Sequence, residues 1–181
     1  SEKLYHATRY PANLPIMFHN EAAHTDQWPL KQFFYCIEAA EEGGELRLAD
    51  GREVLKVLDP AVVAEFAEKG LMYVRNFIPY FDVSWQDFYK TKDKSEVEAF
   101  LNDNNIEFEW KGDKLTTRQY GPAVIAHPKT QENLWFNQIQ LHHPSILVEK
   151  VYKGLKGMLG EESEFPRYVC FGDGSPIPTE T

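Results

Sequence analysis

Pro15-Ile16-Met17-Phe18-His19-Asn20-Glu21 reads as a short apolar strand that ends in His-x-Glu. Side chains in a strand alternate faces, so His19 and Glu21 are expected to point the same way. An imidazole and a carboxylate side by side supply two of the three ligands of a facial triad. That triad holds non-haem Fe(II) with open positions for substrate and O₂. The plainer alternative is an exposed polar pair at a strand end.

Downstream, Ala22 to Pro29 reads as a loop. Lys31-Gln32-Phe33-Phe34-Tyr35-Cys36-Ile37-Glu38 is dense in aromatic and β-favouring residues and predicts a buried central strand. Glu41 to Glu45 is a turn and Leu46-Arg47-Leu48 a short strand after it. Asp50 predicts an N-cap for a helix from Arg52 to about Leu58. Asp59-Pro60 starts a second helix that runs to Gly70, with Val62, Val63, Phe66 and Ala67 at helical spacing. Leu71 to Phe77 predicts a strand, Ser84 to Tyr89 a turn or short helix, and Lys94 to Leu101 an amphipathic helix. Ile106 to Trp110 and Leu115 to Arg118 form a hairpin about Lys111-Gly112-Asp113-Lys114. Val124 to Ala126 and Leu134 to Ile139 are two more strands, joined by a turn from His127 to Asn133. Leu147 to Leu159 is a helix closed by Gly160, and Arg167 to Phe171 a last strand. Upstream, Tyr5, Thr8 and Tyr10 suggest an edge strand or arm. Many short strands with inserted helices and no βαβ rhythm predict a mainly β jelly roll, one domain over 1–181.

With 43% hydrophobic and 14% aromatic residues, the 181-residue chain can build a real core. Its net charge of −9 argues against a nucleic-acid or anionic-membrane partner, which needs a basic patch. No run is long enough for a membrane span, and no signal peptide is evident. Cys36 and Cys170 sit in apolar stretches without metal-type spacing. They read as buried thiols of a reducing compartment, hence the cytoplasm. No feature of the sequence specifies an oligomeric state.

Several local patterns occur together and in order: Phe18-His19-Asn20-Glu21, Trp28-Pro29, Phe33 to Cys36, Glu42-Gly43-Gly44-Glu45, Asp50-Gly51-Arg52, Tyr73 to Asn76, Trp85-Gln86, His127 to Thr130, Trp135-Phe136-Asn137 and Phe171-Gly172-Asp173-Gly174. In this the chain resembles the taurine dioxygenase superfamily, in its clavaminate synthase-like and syringomycin-hydroxylase-like branch, from about Tyr5 to Pro178. The resemblance implies a double-stranded β-helix that binds Fe(II) and 2-oxoglutarate. It implies a reaction with O₂ that yields succinate and CO₂ and hydroxylates an unactivated C–H bond. His19 and Glu21 become the first two iron ligands.

The family's third ligand, a distal histidine, and the arginine that pairs with the far carboxylate of 2-oxoglutarate follow the Gly-Asp-Gly segment. Neither has a counterpart within 1–181, so the resemblance places both outside this chain, which reads as truncated at both ends. Leu46 stands where relatives carry a threonine that helps hold 2-oxoglutarate, and an apolar side chain cannot replace that hydrogen bond. His24 faces substrate or, the preferred reading, is a surface histidine. Trp135 and Asn137 line the substrate wall or are core residues. Arg75 and Arg118 read as ordinary salt-bridge partners before substrate ligands. The expected function is a dioxygenase of specialised metabolism acting on a small or carrier-protein-tethered amino-acid-like substrate. The alternative is a non-catalytic jelly-roll binding module.

Overall fold

The computed structural model describes residues 16–78 and 82–179. The expected arm with Tyr5, Thr8 and Tyr10 lies outside them. The helices form where the capping residues direct. Asp50 accepts from the Arg52 N–H and opens α1 (Gly51–Val57), and Asp59 with Pro60 opens α2 (Pro60–Lys69). Gly70, at φ 59°, lets the chain leave α2 and enter β1 (Leu71–Phe77) at once. Ser84 caps α3 (Trp85–Tyr89) and Asp93 caps α4 (Lys94–Asp103). β2 (Glu107–Lys111) and β3 (Lys114–Gly121) form a hairpin whose Gly112 takes the positive φ a tight turn needs. β4 (Val124–Ala126) and β5 (Asn133–Trp135) follow, then α5 (Ile139–His142), α6 (Glu149–Leu159) and β6 (Arg167–Phe171).

Among the described residues two antiparallel sheets result, one of four strands in the order β2-β3-β1-β6 and one formed by β4 and β5. Directly opposed residues share a face. Leu71, Tyr73, Arg75 and Phe77 therefore stand on one face with Phe171, Val169 and Arg167 of β6, and with Gln119, Thr117 and Leu115 of β3. Each end of that face is apolar. At one end Phe66, Leu71, Tyr73, Val169, Phe171 and Ile177 pack together; at the other, Phe77, Trp85, Val97, Leu101, Ile106 and Leu115 do so. Between the two clusters lies a polar band formed by Arg75, Arg167, Thr117 and Gln119. On the opposite face Val74, Tyr168 and Cys170 form a smaller cluster. There the buried Asn76 donates to the Ser163 and Phe165 carbonyls and accepts from the Thr116 hydroxyl, each at 2.8 Å.

Five expectations are corrected. Residues 16–20 form no strand, and a turn follows at 21–24. Residues 31–38 are neither strand nor buried: Phe33, Tyr35 and Ile37 are 88%, 89% and 92% exposed. Leu46 to Leu48 is likewise exposed and irregular, because no described strand lies beside either segment to complete its hydrogen bonds. The strand expected from Leu134 to Ile139 stops at Trp135, where the backbone turns away to bond Ala123 and the Tyr73 hydroxyl. Cys170 is buried as expected, whereas Cys36 is exposed. No helix among the described residues is long and apolar enough to cross a membrane.

Candidate metal centre

His19 and Glu21 converge although no strand carries them. His19 Nε2 lies 3.6 Å from Glu21 Oε2, longer than a hydrogen bond and close enough for both atoms to reach one cation. His19 Nδ1 lies 2.8 Å from the Met17 carbonyl oxygen. A carbonyl only accepts, so Nδ1 carries a proton, and Nε2 is the nitrogen left to face a metal. Metal-binding histidines commonly have their second nitrogen held in this way. The side chains remain 24% and 54% exposed, so the pair is open on one side. Among the described residues no group of three His, Cys, Asp or Glu side chains assembles that could hold a metal.

The segment is held in place by Asn20 and Asn137. The Asn20 N–H donates to the Asn137 carbonyl at 3.1 Å, and the Asn137 N–H donates to Asn20 Oδ1 at 3.2 Å. The buried Asn137 side chain bonds the Ala123 carbonyl and the Ile139 N–H. Asn137 thus fixes the loop that bears the ligands. Trp135 packs edge-on against Phe66, 5.3 Å between ring centres, as part of the core. Both residues also line an apolar cavity of about 700 Å³ together with Met17. Leu46 is exposed and lines neither this cavity nor the one described next.

His24 is not a surface histidine. It is half-buried, with Nδ1 2.5 Å from Gln138 Oε1, and its ring lies 5.4 Å from that of His142 and 6.1 Å from that of Tyr73. Gln138 joins the group: its N–H donates to the Tyr73 hydroxyl and its carbonyl accepts from His142 Nδ1. Burial, and secondarily the charges of Arg167 and Arg75, lower the His24 pKa against the opposing bond to Gln138. Burial also pushes His142 down to about 4, with smaller contributions from His24, Arg167 and Arg75, and pushes the Tyr73 phenol up to about 12. Both histidines are therefore neutral at pH 7. These rings line a cavity of about 670 Å³ that opens over the polar band of the sheet. Glu21 and His24 are the two ends of one turn, and His24 lines the cavity, so the ligand pair and the cavity are near neighbours.

The sequence does not group Tyr73, Gln138 and His142 with His24, because only the pairing of residues 20–24 with 137–138 brings them together. The Asn137-Gln138 dipeptide after Trp135-Phe136 was the available signal. Arg118 pairs with Glu109 at 3.5 Å, as expected of an ordinary salt bridge. The adjacent His143 is structural: Nδ1 accepts from the Ser145 N–H, and Nε2 donates to the Ile177 carbonyl.

Residues 1–179 match the family described as taurine catabolism dioxygenase TauD, TfdA family. The dapdiamide synthesis protein DdaC of Enterobacter agglomerans is 40% identical over 181 residues, which cover 99% of this chain and 55% of that protein. A clavaminate synthase-like protein of Arabidopsis thaliana is 27% identical over 189 residues, covering 98% of this chain and 54% of the relative. The chain thus spans about half the length of the curated relatives it matches. The convergent His-x-Glu pair, its anchoring through Asn137 and the family match lead to one conclusion: this chain belongs to the TauD/TfdA family, within the taurine dioxygenase superfamily of iron- and 2-oxoglutarate-dependent oxygenases.

Proposed function

We propose that this chain carries the iron-binding half of an Fe(II)- and 2-oxoglutarate-dependent dioxygenase of a biosynthetic route, with His19 and Glu21 as two of the iron ligands. The observation that carries this reading is the approach of His19 Nε2 to Glu21 Oε2, with Nδ1 tied to the Met17 carbonyl. A neutral imidazole and a carboxylate fit Fe(II), and the carboxylate offsets part of its charge. When bound, the iron, with 2-oxoglutarate and O₂, supplies the oxidation of an unactivated C–H bond.

The chain's own residues do the positioning. The Met17 carbonyl sets the His19 tautomer. The Asn20–Asn137 pair fixes the loop that bears both ligands. Tyr73, Gln138 and the two neutral histidines wall a partly enclosed cavity beside it. The third ligand and the 2-oxoglutarate arginine belong to the part of the relatives that this chain does not span. The jelly roll is part of the same proposal. Residues 31–38 and 46–48 expose Phe33, Tyr35, Ile37 and Leu48, and such apolar, strand-forming surface pairs with further strands of one domain. DdaC, named for dapdiamide synthesis, supports a role in biosynthesis; a small or carrier-tethered amino-acid-like substrate is part of the same proposal. With Leu46 in place of threonine, 2-oxoglutarate relies on other groups for that hydrogen bond.

The test is anaerobic addition of Fe(II) and 2-oxoglutarate to the full-length protein. The weak visible band of the chelate is expected, and its loss in His19→Ala. A correctly folded protein without the band and without 2-oxoglutarate turnover would instead be the non-catalytic binding module.

A further inference from the structure

The pairing register places two arginines face to face. Arg75 of β1 stands directly opposite Arg167 of β6, on the same side of the sheet. Like charges directly opposed are unfavourable, and here they interrupt a face that is apolar at both ends. One carboxylate serves both. Asp82 accepts from Arg75 Nη2 at 3.1 Å and lies 3.7 Å from Arg167 Nε. Asp26, which also lines the cavity, is exposed. Arg75 Nε is buried and has no hydrogen-bond partner among the described residues. The guanidinium nevertheless has a fixed seat, over the rings of Phe77 at 4.7 Å and Phe88 at 4.2 Å. A pre-set planar donor group with an unused buried N–H, beside a second guanidinium in a cavity of about 670 Å³, is suited to a planar bidentate anion.

We infer that this cavity is the substrate pocket and that Arg75 and Arg167 hold a carboxylate group of the substrate in it. The inference deepens the oxygenase reading and rests on it for the role of the bound molecule. Thr117 and Gln119, on the same sheet face, and the imidazole of His24 give the pocket a polar wall for the rest of a small amino-acid-like molecule. The cosubstrate 2-oxoglutarate is a second source of the same chemistry, so the test separates the two.

The experiment follows the Nε–H NMR signals of Arg75 and Arg167 in the full-length, metal-free protein. The titrants are N-acetyl-L-alanine, its neutral amide and 2-oxoglutarate. The carboxylate probe is expected to shift both signals saturably while the amide leaves them in place. Arg167→Gln should weaken that response about tenfold or more, as loss of a charge-assisted hydrogen bond does. Equal responses to acid and amide, no response to either, or a response to 2-oxoglutarate alone would overturn the inference. The probe pair needs no variant, so misfolding of an Arg75 substitution does not blunt the test. Repeating the titration on His19→Ala separates the two readings. Intact arginine shifts are expected there, and an iron-site failure would appear only in metal binding.

Discussion

Replacing Asn20 with alanine isolates the step that turns two side chains into a ligand pair. The backbone bond from Asn20 N–H to the Asn137 carbonyl survives. The acceptor Oδ1, 3.2 Å from the Asn137 N–H, is lost. A fully buried donor left without a partner costs about 1–3 kcal/mol. Asn20 is half-buried, so water reaches part of the gap and about 1–1.5 kcal/mol is the better figure. That energy holds the 19–21 loop and not the core, since no residue of 16–21 belongs to an apolar cluster. Fe(II) affinity, measured anaerobically by calorimetry on the full-length protein, should therefore fall about five- to tenfold, at about 1.4 kcal/mol per decade. Unfolding in urea should lose no more than the same energy, about 1–1.5 kcal/mol. Unchanged affinity, or a large loss of global stability with it, would refute the assignment of Asn20 and Asn137 as the clamp of the ligand loop.

Three further outcomes are expected. His142 is held down to about 4 by burial, against 6.5 when unfolded, so the unfolded chain binds its proton first. Stability should be intact above about pH 6.5 and fall by roughly 3 kcal/mol as the pH drops to 4. His142→Gln should flatten that part of a urea-midpoint pH series. Asn76→Leu removes the three hydrogen bonds of a buried side chain and strands their partners. It should cost about 2–4 kcal/mol in urea unfolding. Gly172→Ala would set a methyl 2.4 Å from the Lys69 carbonyl oxygen at the α2–β6 junction. A loss of about 1–3 kcal/mol is expected, read from the thermal midpoint.

What could be read from the sequence was what short-range chemistry decides. Asp50, Asp59-Pro60 and Gly70 bracket α1 and α2, and Gly112 marks the β2–β3 turn, because caps and turns act over a few residues. Residues 31–38 show the limit: aromatic, β-branched composition favours a strand, but a strand exists only beside a partner, and none lies there among the described residues. Leu134 to Ile139 alternates like a strand until Gln138 turns to meet the Tyr73 hydroxyl, a contact across 65 positions. At the site, His19 and Glu21 lie 3.6 Å apart, but a loop and turn bring them together and not the strand alternation expected to do so. His24 and His142 meet only through Gln138, and Arg75 meets Arg167 only through sheet register. No local pattern encodes either meeting.

The most direct test is the Fe(II) dissociation constant of the full-length protein beside His19→Ala, Glu21→Gln and a His24→Gln/His142→Gln control. The account predicts one iron per chain, a loss of at least about a hundredfold in each ligand variant, and little change in the control. Wild-type affinity in His19→Ala, or iron lost only when the His24–His142 pair is removed, would contradict it.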